Sequence, residues 1–199
     1  MLDRYTPKVI VLEVTPYDMC VSQGDYDRLS VLLPYAHHSS WLEIVTTKSP
    51  WEPYKCWSTV YPYNSIFLKM VKNLKDHGEF KQCGFQPLEG RWNHPIDDYT
   101  DNRSLDERKV KMMRDIIETC KAKNIKLLMV SSPMYAHAVH TATLQQTEDI
   151  CQEFGIPYIS FLNMEEYQNN ALFHTMDHLN STGAHQFSQE VAQWIKQNL

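Results

Sequence analysis

The chain has 199 residues, 43% hydrophobic and 22% charged, with a formal net charge of -5 and an isoelectric point near 6.0. That is enough apolar material for one domain with a real core, and it excludes a disordered tail. The acidic balance argues against a nucleic-acid partner, which needs a basic patch, and no apolar run approaches the ~20 residues of a membrane span.

The N-terminus carries no signal peptide and enters a strand almost at once. Residues 8–14 (KVIVLEV) form a near-continuous β-branched run, the pattern of a parallel strand buried on both faces. Pro16 in the Thr15-Pro16-Tyr17-Asp18 tip ends it. Residues 26–33 predict a short helix stopped by Pro34, residues 37–53 an irregular segment, and residues 54–76 a helix that Pro62 divides. The basic run from Lys69 to Lys75 reads as one solvated helix face.

Residues 78–103 are the longest stretch without periodicity, a length that marks a functional, inserted or mobile loop. Its acidic patch, Asp97-Asp98-Tyr99-Thr100-Asp101, lacks the glycine and closing glutamate of a calcium loop. Ser104 with Glu107 reads as a capping box for a helix with Val110, Met113, Ile117 and Cys120 on one face. Residues 125–130 (IKLLMV) predict a second buried strand, closed by Ser131-Ser132-Pro133. Residues 143–154 predict a helix stopped by Gly155, and residues 157–162 a third strand. Asn180 or Ser181 caps a last helix with Ala184, Phe187, Val191 and Ile195 inward.

This alternation predicts a single α/β domain over 1–199 with a parallel sheet and helices on both faces. In such sheets ligands bind at the carboxyl ends of the strands, so the tips at 15–18, 131–135 and 163–178 are the places to look. The five cysteines (Cys20, Cys56, Cys83, Cys120 and Cys151) form no CxxC pair, which leaves no zinc site or disulfide framework to expect. No Gly-rich phosphate loop follows any strand, so a binder of phosphorylated small molecules is disfavoured and no cofactor is expected.

The most pointed segment runs from Phe173 to Ala184 (FHTMDHLNSTGA). A histidine just before a helix cap is held in place at the rim where the strands end, and neutral His178 there suits a general base. His37, His38, His137 and His140 have no carboxylate or cysteine at ligand spacing. Ser131 and Ser132 lack the glycines of a nucleophile elbow and read as a strand end.

Asp177 through Gly183, with Ala184 and Phe187, resembles the last conserved block of the SGNH (GDSL-type) hydrolases, in the variant His-Leu-Asn-x-x-Gly-Ala-x-x-Phe. The segments YDRLS (26–30), LPY (33–35) and YPYNS (61–65) look like an uncharacterised branch of that superfamily found in Bacteroides-like bacteria. The resemblance implies a flavodoxin-like three-layer α/β/α fold, incomplete at the N-terminus. It also implies acyl transfer from a serine, with His178 as base; Asp177, adjacent to that histidine, is a poor geometric substitute for the family's aspartate, though some members manage with a dyad. An aspartate usually stands three residues before that histidine; here the position holds Thr175. The tip at 15–18 has no asparagine for an oxyanion hole, and the serine block has no counterpart.

Two readings of those gaps stand. In one, the nucleophile lies outside this chain, in an upstream part that would also carry any export signal to the cell envelope or periplasm. In the other, the chain is a relative that no longer catalyses. The first is preferred, because residues 2–7 read like a helix tail and three parallel strands leave an open edge. The expected activity is therefore an esterase or acyltransferase region acting on a small-molecule or glycan ester. The alternative is a non-catalytic binding or scaffold module, its glycan-facing surface drawn from Trp41, Trp51, Trp57, Trp92 and Tyr99.

Overall fold

The computed structural model describes residues 5–35, 44–64, 66–75, 86–138 and 141–199. His37, His38, Trp41, Cys83, His140 and residues 78–85 of the long loop lie outside the described residues. The regular elements run β1 (Val9–Glu13), α1 (Gln23–Arg28), α2 (Glu52–Lys55), α3 (Phe67–Lys75), β2 (Asp98–Tyr99), α4 (Glu107–Ala122), β3 (Lys126–Ser131), β4 (His137–Ala138), α5 (Ala142–Phe154), β5 (Tyr158–Ser160), β6 (Phe173–Thr175), β7 (His178–Leu179) and α6 (Ser181–Gln197). Two units divide the chain: Met1–Val21 with Gln86–Leu199, and Ser22–Phe85.

The larger unit is mixed α/β around a parallel sheet of order β1-β3-β5, with Val9 paired to Lys126 and Met129 to Tyr158. Strand alternation sends β3 side chains to two clusters. Leu127 and Met129 join Ile10 and Leu12 in a core with Met113, Ile117 and Cys120 of α4 and with Ile150 and Cys151 of α5. Val130 instead joins Phe161 and the α6 residues Phe187 and Val191. Cys120 and Cys151 are both buried, and burial pushes the Cys151 thiol up to about 11.

Several boundaries differ from the sequence reading, each for a local reason. β3 takes the centre of the sheet and β1 an edge, so β1 is not buried on both faces; Val11 is 38% exposed. The α4 cap is Asp106, which accepts from the Arg108 amide, and not Ser104. Ser104 gives its carbonyl to the Val21 amide, and its neighbour Leu105 bridges Cys20, so the chain there is still extended. The helix read over 26–33 begins earlier, capped by Ser22, and passes at Leu29 into a 3-10 turn that contains Pro34. Within the long loop, Asp98–Tyr99 forms β2 and pairs with β4, where His137 sits. Trp92 packs on the Phe173 cluster, and its amide donates to the Phe173 carbonyl.

α6 starts under tight constraint. The Asn180 side chain accepts from the Gly183 amide, and its own amide donates to the carbonyls of Gly90 and Ala171. A Cβ on Gly183 would stand 2.2 Å from the Leu172 carbonyl oxygen and 2.9 Å from Leu179 Cδ2.

The smaller unit replaces the helix read over 54–76 with three pieces: α2, a 3-10 turn at Tyr61–Tyr63 around Pro62, and α3. A fully buried carboxylate, Glu52, ties α2 to the Tyr61–Tyr63 turn. It accepts from Lys55 Nζ at 2.9 Å and from the Tyr61 hydroxyl at 2.8 Å, with Lys48 Nζ at 3.7 Å. Burial pushes its carboxyl up, but these donors outweigh burial and hold it below the ordinary glutamate range.

Gly183→Ala is expected to cost the larger unit about 3 kcal/mol, because backbone must move to admit the methyl group; denaturant unfolding checks this. Glu52→Gln is expected to cost the smaller unit about 1 kcal/mol at neutral pH. Since the folded carboxyl titrates below the unfolded one, this contribution is present above the unfolded value and is lost as pH falls through the folded value. Stability curves of wild type and variant should therefore converge in acid; a constant gap across pH would contradict the assignment.

Candidate functional site

A pocket of about 380 Å³ opens at the carboxyl ends of β1 and β3. Its walls include Glu13 and the following tip Thr15 to Tyr17, Ser132 to Met134 beyond β3, and Asp177 with His178. Each wall is pinned from behind. The Thr141 hydroxyl, which caps α5, donates to the Pro16 carbonyl at 2.7 Å. Thr143 accepts from the Met19 amide. Asp18 accepts from the Thr15 amide at 2.7 Å, closing the tip. Ser131, fully buried, donates to the Val14 carbonyl at 2.6 Å and contacts the Tyr158 hydroxyl at 2.8 Å. It fastens neighbouring strands and is structural, as its sequence context implied.

His178 does not sit in a plain loop before the helix. It opens β7, the second arm of a tight antiparallel hairpin, and pairs with Thr175 of β6. That pairing brings the two side chains together: Thr175 Oγ1 lies 2.8 Å from His178 Nδ1. Asp177, in the turn, places Oδ1 2.9 Å from the same nitrogen. The Thr175 hydroxyl donates to that carboxylate at 2.7 Å. Nδ1–H therefore points at one carboxylate and one hydroxyl oxygen, which fixes the tautomer with the lone pair on Nε2. Nε2 makes no hydrogen bond among the described residues, and the His178 side chain is 61% exposed.

Electrostatics follow from this arrangement. Burial pushes the Asp177 carboxyl up, while the Thr175 hydroxyl and His178 outweigh it and hold the group below its ordinary range. Burial, and after it the Asp177 charge, raise the Tyr17 phenol, so Tyr17 stays protonated beside the pair. Across the pocket the Ser132 hydroxyl donates to the Glu13 carboxylate. Among the described residues, the lining carries two carboxylates and no lysine or arginine.

Asp177 and His178, the two residues picked from sequence, are in contact. Thr175, Tyr17, Glu13 and Ser132 join them in or around the pocket. The hairpin register brings the Thr175 hydroxyl against both partners. Among the described residues no cluster of three histidine, cysteine, aspartate or glutamate side chains has metal-binding geometry, and no helix is long and apolar enough to cross a membrane. Trp92 and Tyr99 are half-buried in the larger unit, while Trp51 and Trp57 stand exposed in the smaller one.

No family model, curated protein or solved structure matches this chain.

Thr175→Val removes the hydroxyl donor from Asp177. The Asp177 carboxyl is expected to titrate higher, nearer its ordinary range, which carbon-13 NMR of the side-chain carboxyl reads. An unchanged titration would show that Thr175 plays no part in holding the charge.

Proposed function

We propose that this chain is the base-bearing region of an SGNH-type esterase or acyltransferase, with a flavodoxin-like three-layer fold and a serine nucleophile outside the chain. It acts on ester-linked acyl groups of a glycan. The observation that supports this reading best is the His178–Asp177 contact at 2.9 Å, set in a pocket at the carboxyl ends of parallel strands with Nε2 directed away from its anchor.

In this mechanism His178 Nε2 removes the proton from the serine hydroxyl as its oxygen attacks the ester carbonyl. Asp177 stabilises the imidazolium that forms, and Thr175 holds Asp177 in place. The imidazolium then gives its proton to the departing sugar oxygen as the carbon–oxygen bond breaks, leaving an acyl-serine. Water or an acceptor hydroxyl, deprotonated by the same nitrogen, then attacks the acyl carbon; the bond to the serine oxygen breaks and the imidazolium returns its proton to that oxygen, which restores the free serine. With Glu13 and Asp177 on the walls and no cationic side chain, the pocket favours neutral acyl and sugar groups over anionic ones.

The test is a protein extended by the in-frame sequence upstream of Met1. A fluorophosphonate probe is expected to label one serine in that extension, and His178→Ala to lower turnover by ~10³-fold or more with little change in melting temperature. Labelling of Ser132 would move the nucleophile into this chain. Wild-type turnover in His178→Ala would remove His178 from the chemistry.

A further inference from the structure

The smaller unit has an amphipathic helix whose apolar stripe is exposed and joins none of the hydrophobic core clusters found among the described residues. At 3.6 residues per turn, Phe67, Met70, Val71 and Leu74 of α3 share one face, while Lys69 and Lys72 lie on the other. Such a stripe normally lies against a core. Here Phe67 is 59% exposed and Leu74 79%, and Leu68 on the flank is 80% exposed. The helix sequence FLKMVKNLK contains three lysines and no acidic residue, although the chain as a whole is acidic.

A second feature of the same unit stands independently of the first. Trp51, Tyr54 and Trp57 recur every third residue and form a row with successive ring centroids 5.9 Å apart. They are 66%, 60% and 82% exposed. Successive rings are tilted by 48° and 67°, so they share no common plane on which the flat face of a sugar chain could lie. Tryptophan and tyrosine, apolar in body and polar at one edge, are at home where hydrocarbon meets water.

We infer that the smaller unit is a peripheral membrane-binding module for an anionic lipid surface. The apolar stripe of α3 enters the headgroup boundary, Lys69 and Lys72 meet the lipid phosphates, and the aromatic row sits in the interface. Charge complementarity selects this occupant: an exposed apolar stripe alone would equally fit a second copy of the chain, but lysines without a single acid on the helix favour a negatively charged partner. This inference does not depend on the esterase reading, because none of these residues lines the His178 pocket.

The test is co-sedimentation of the full chain with phosphatidylcholine vesicles, with and without phosphatidylglycerol. Binding is expected only with the anionic lipid, weakening as salt rises. Lys69→Gln with Lys72→Gln is expected to weaken it ~25-fold, at roughly fivefold per lysine. Phe67→Ser with Leu74→Ser should abolish it, and His178→Ala should leave it unchanged. All four helix side chains are exposed, so circular dichroism should show the variants folded like wild type. Absence of binding to anionic vesicles would overturn the inference. So would self-association lost in Leu74→Ser without lipid binding, which would assign the stripe to a second copy. Retention by a polysaccharide gel lost in Trp57→Ala, without lipid binding, would assign the row to a glycan.

Discussion

The candidate site depends on one crowded junction, where the chain leaves the β6–β7 hairpin and enters α6. Asn180 serves it with every polar atom it has. Its backbone amide donates to the Leu172 carbonyl, its side-chain oxygen caps the helix through Gly183, and its side-chain amide holds Gly90 and Ala171. Gly183 then lets the Leu172 carbonyl approach to a distance that no other residue type would permit. Helix, hairpin and the loop before β2 thus meet at fixed positions, and His178, two residues before Asn180, inherits that rigidity. The general-base role proposed for His178 would need such backing, to within about 0.5 Å.

The same junction explains why the site was partly legible in the sequence. Asn180 before a helix-forming run is a cap signal, and Gly183 in the first turn is an anomaly that asks for a close contact. Both could be read directly. The hairpin could not, because arms of three and two residues are too short for a period-two pattern to stand out. Without its register, Thr175 and His178 are residues three apart in a presumed loop. With it, they are cross-strand partners, and the Thr175 hydroxyl lies in contact with His178 Nδ1. The charge sits two residues further on, at Asp177, and the Thr175 hydroxyl links it to the site.

Elsewhere, legibility tracked burial. β3, α5 and the start of α6 read well because each combines a strong apolar pattern with an unambiguous end: Ser131 on the strand, Gly155 in the left-handed conformation after α5, Asn180 before α6. β1 has the same composition as β3 but lies at the edge of the strand order. Composition reports what a strand can bury, and the sheet decides what it does bury. The capping box at Ser104 failed for a related reason. Ser104 and Glu107 have the right spacing, but the pairing of Cys20 with Leu105 keeps the chain extended until Asp106, whose carboxylate then takes the cap. A long-range contact overrode a local signal worth only ~1 kcal/mol.

The smaller unit reverses the usual relation between apolar residues and core. Among the described residues, its buried set includes Leu33, Val45 and Pro62, but also a carboxylate, Glu52, while most of its large side chains face outward. A buried carboxylate is a poor source of stability unless every charge is matched. Here two lysines and a phenol match it, and the lysines at 48 and 55 stay partly in contact with water. The apolar residues that could have built a conventional core, Trp51, Tyr54 and Trp57 on one row and Phe67, Met70 and Leu74 on one helix face, are spent on the surface instead. Polar anchoring inside and apolar display outside are two sides of one arrangement. Holding α2 and the Tyr61–Tyr63 turn through Glu52 leaves those aromatic and aliphatic groups available for a partner, whereas drawing them inward would make a better core and a surface with nothing to offer.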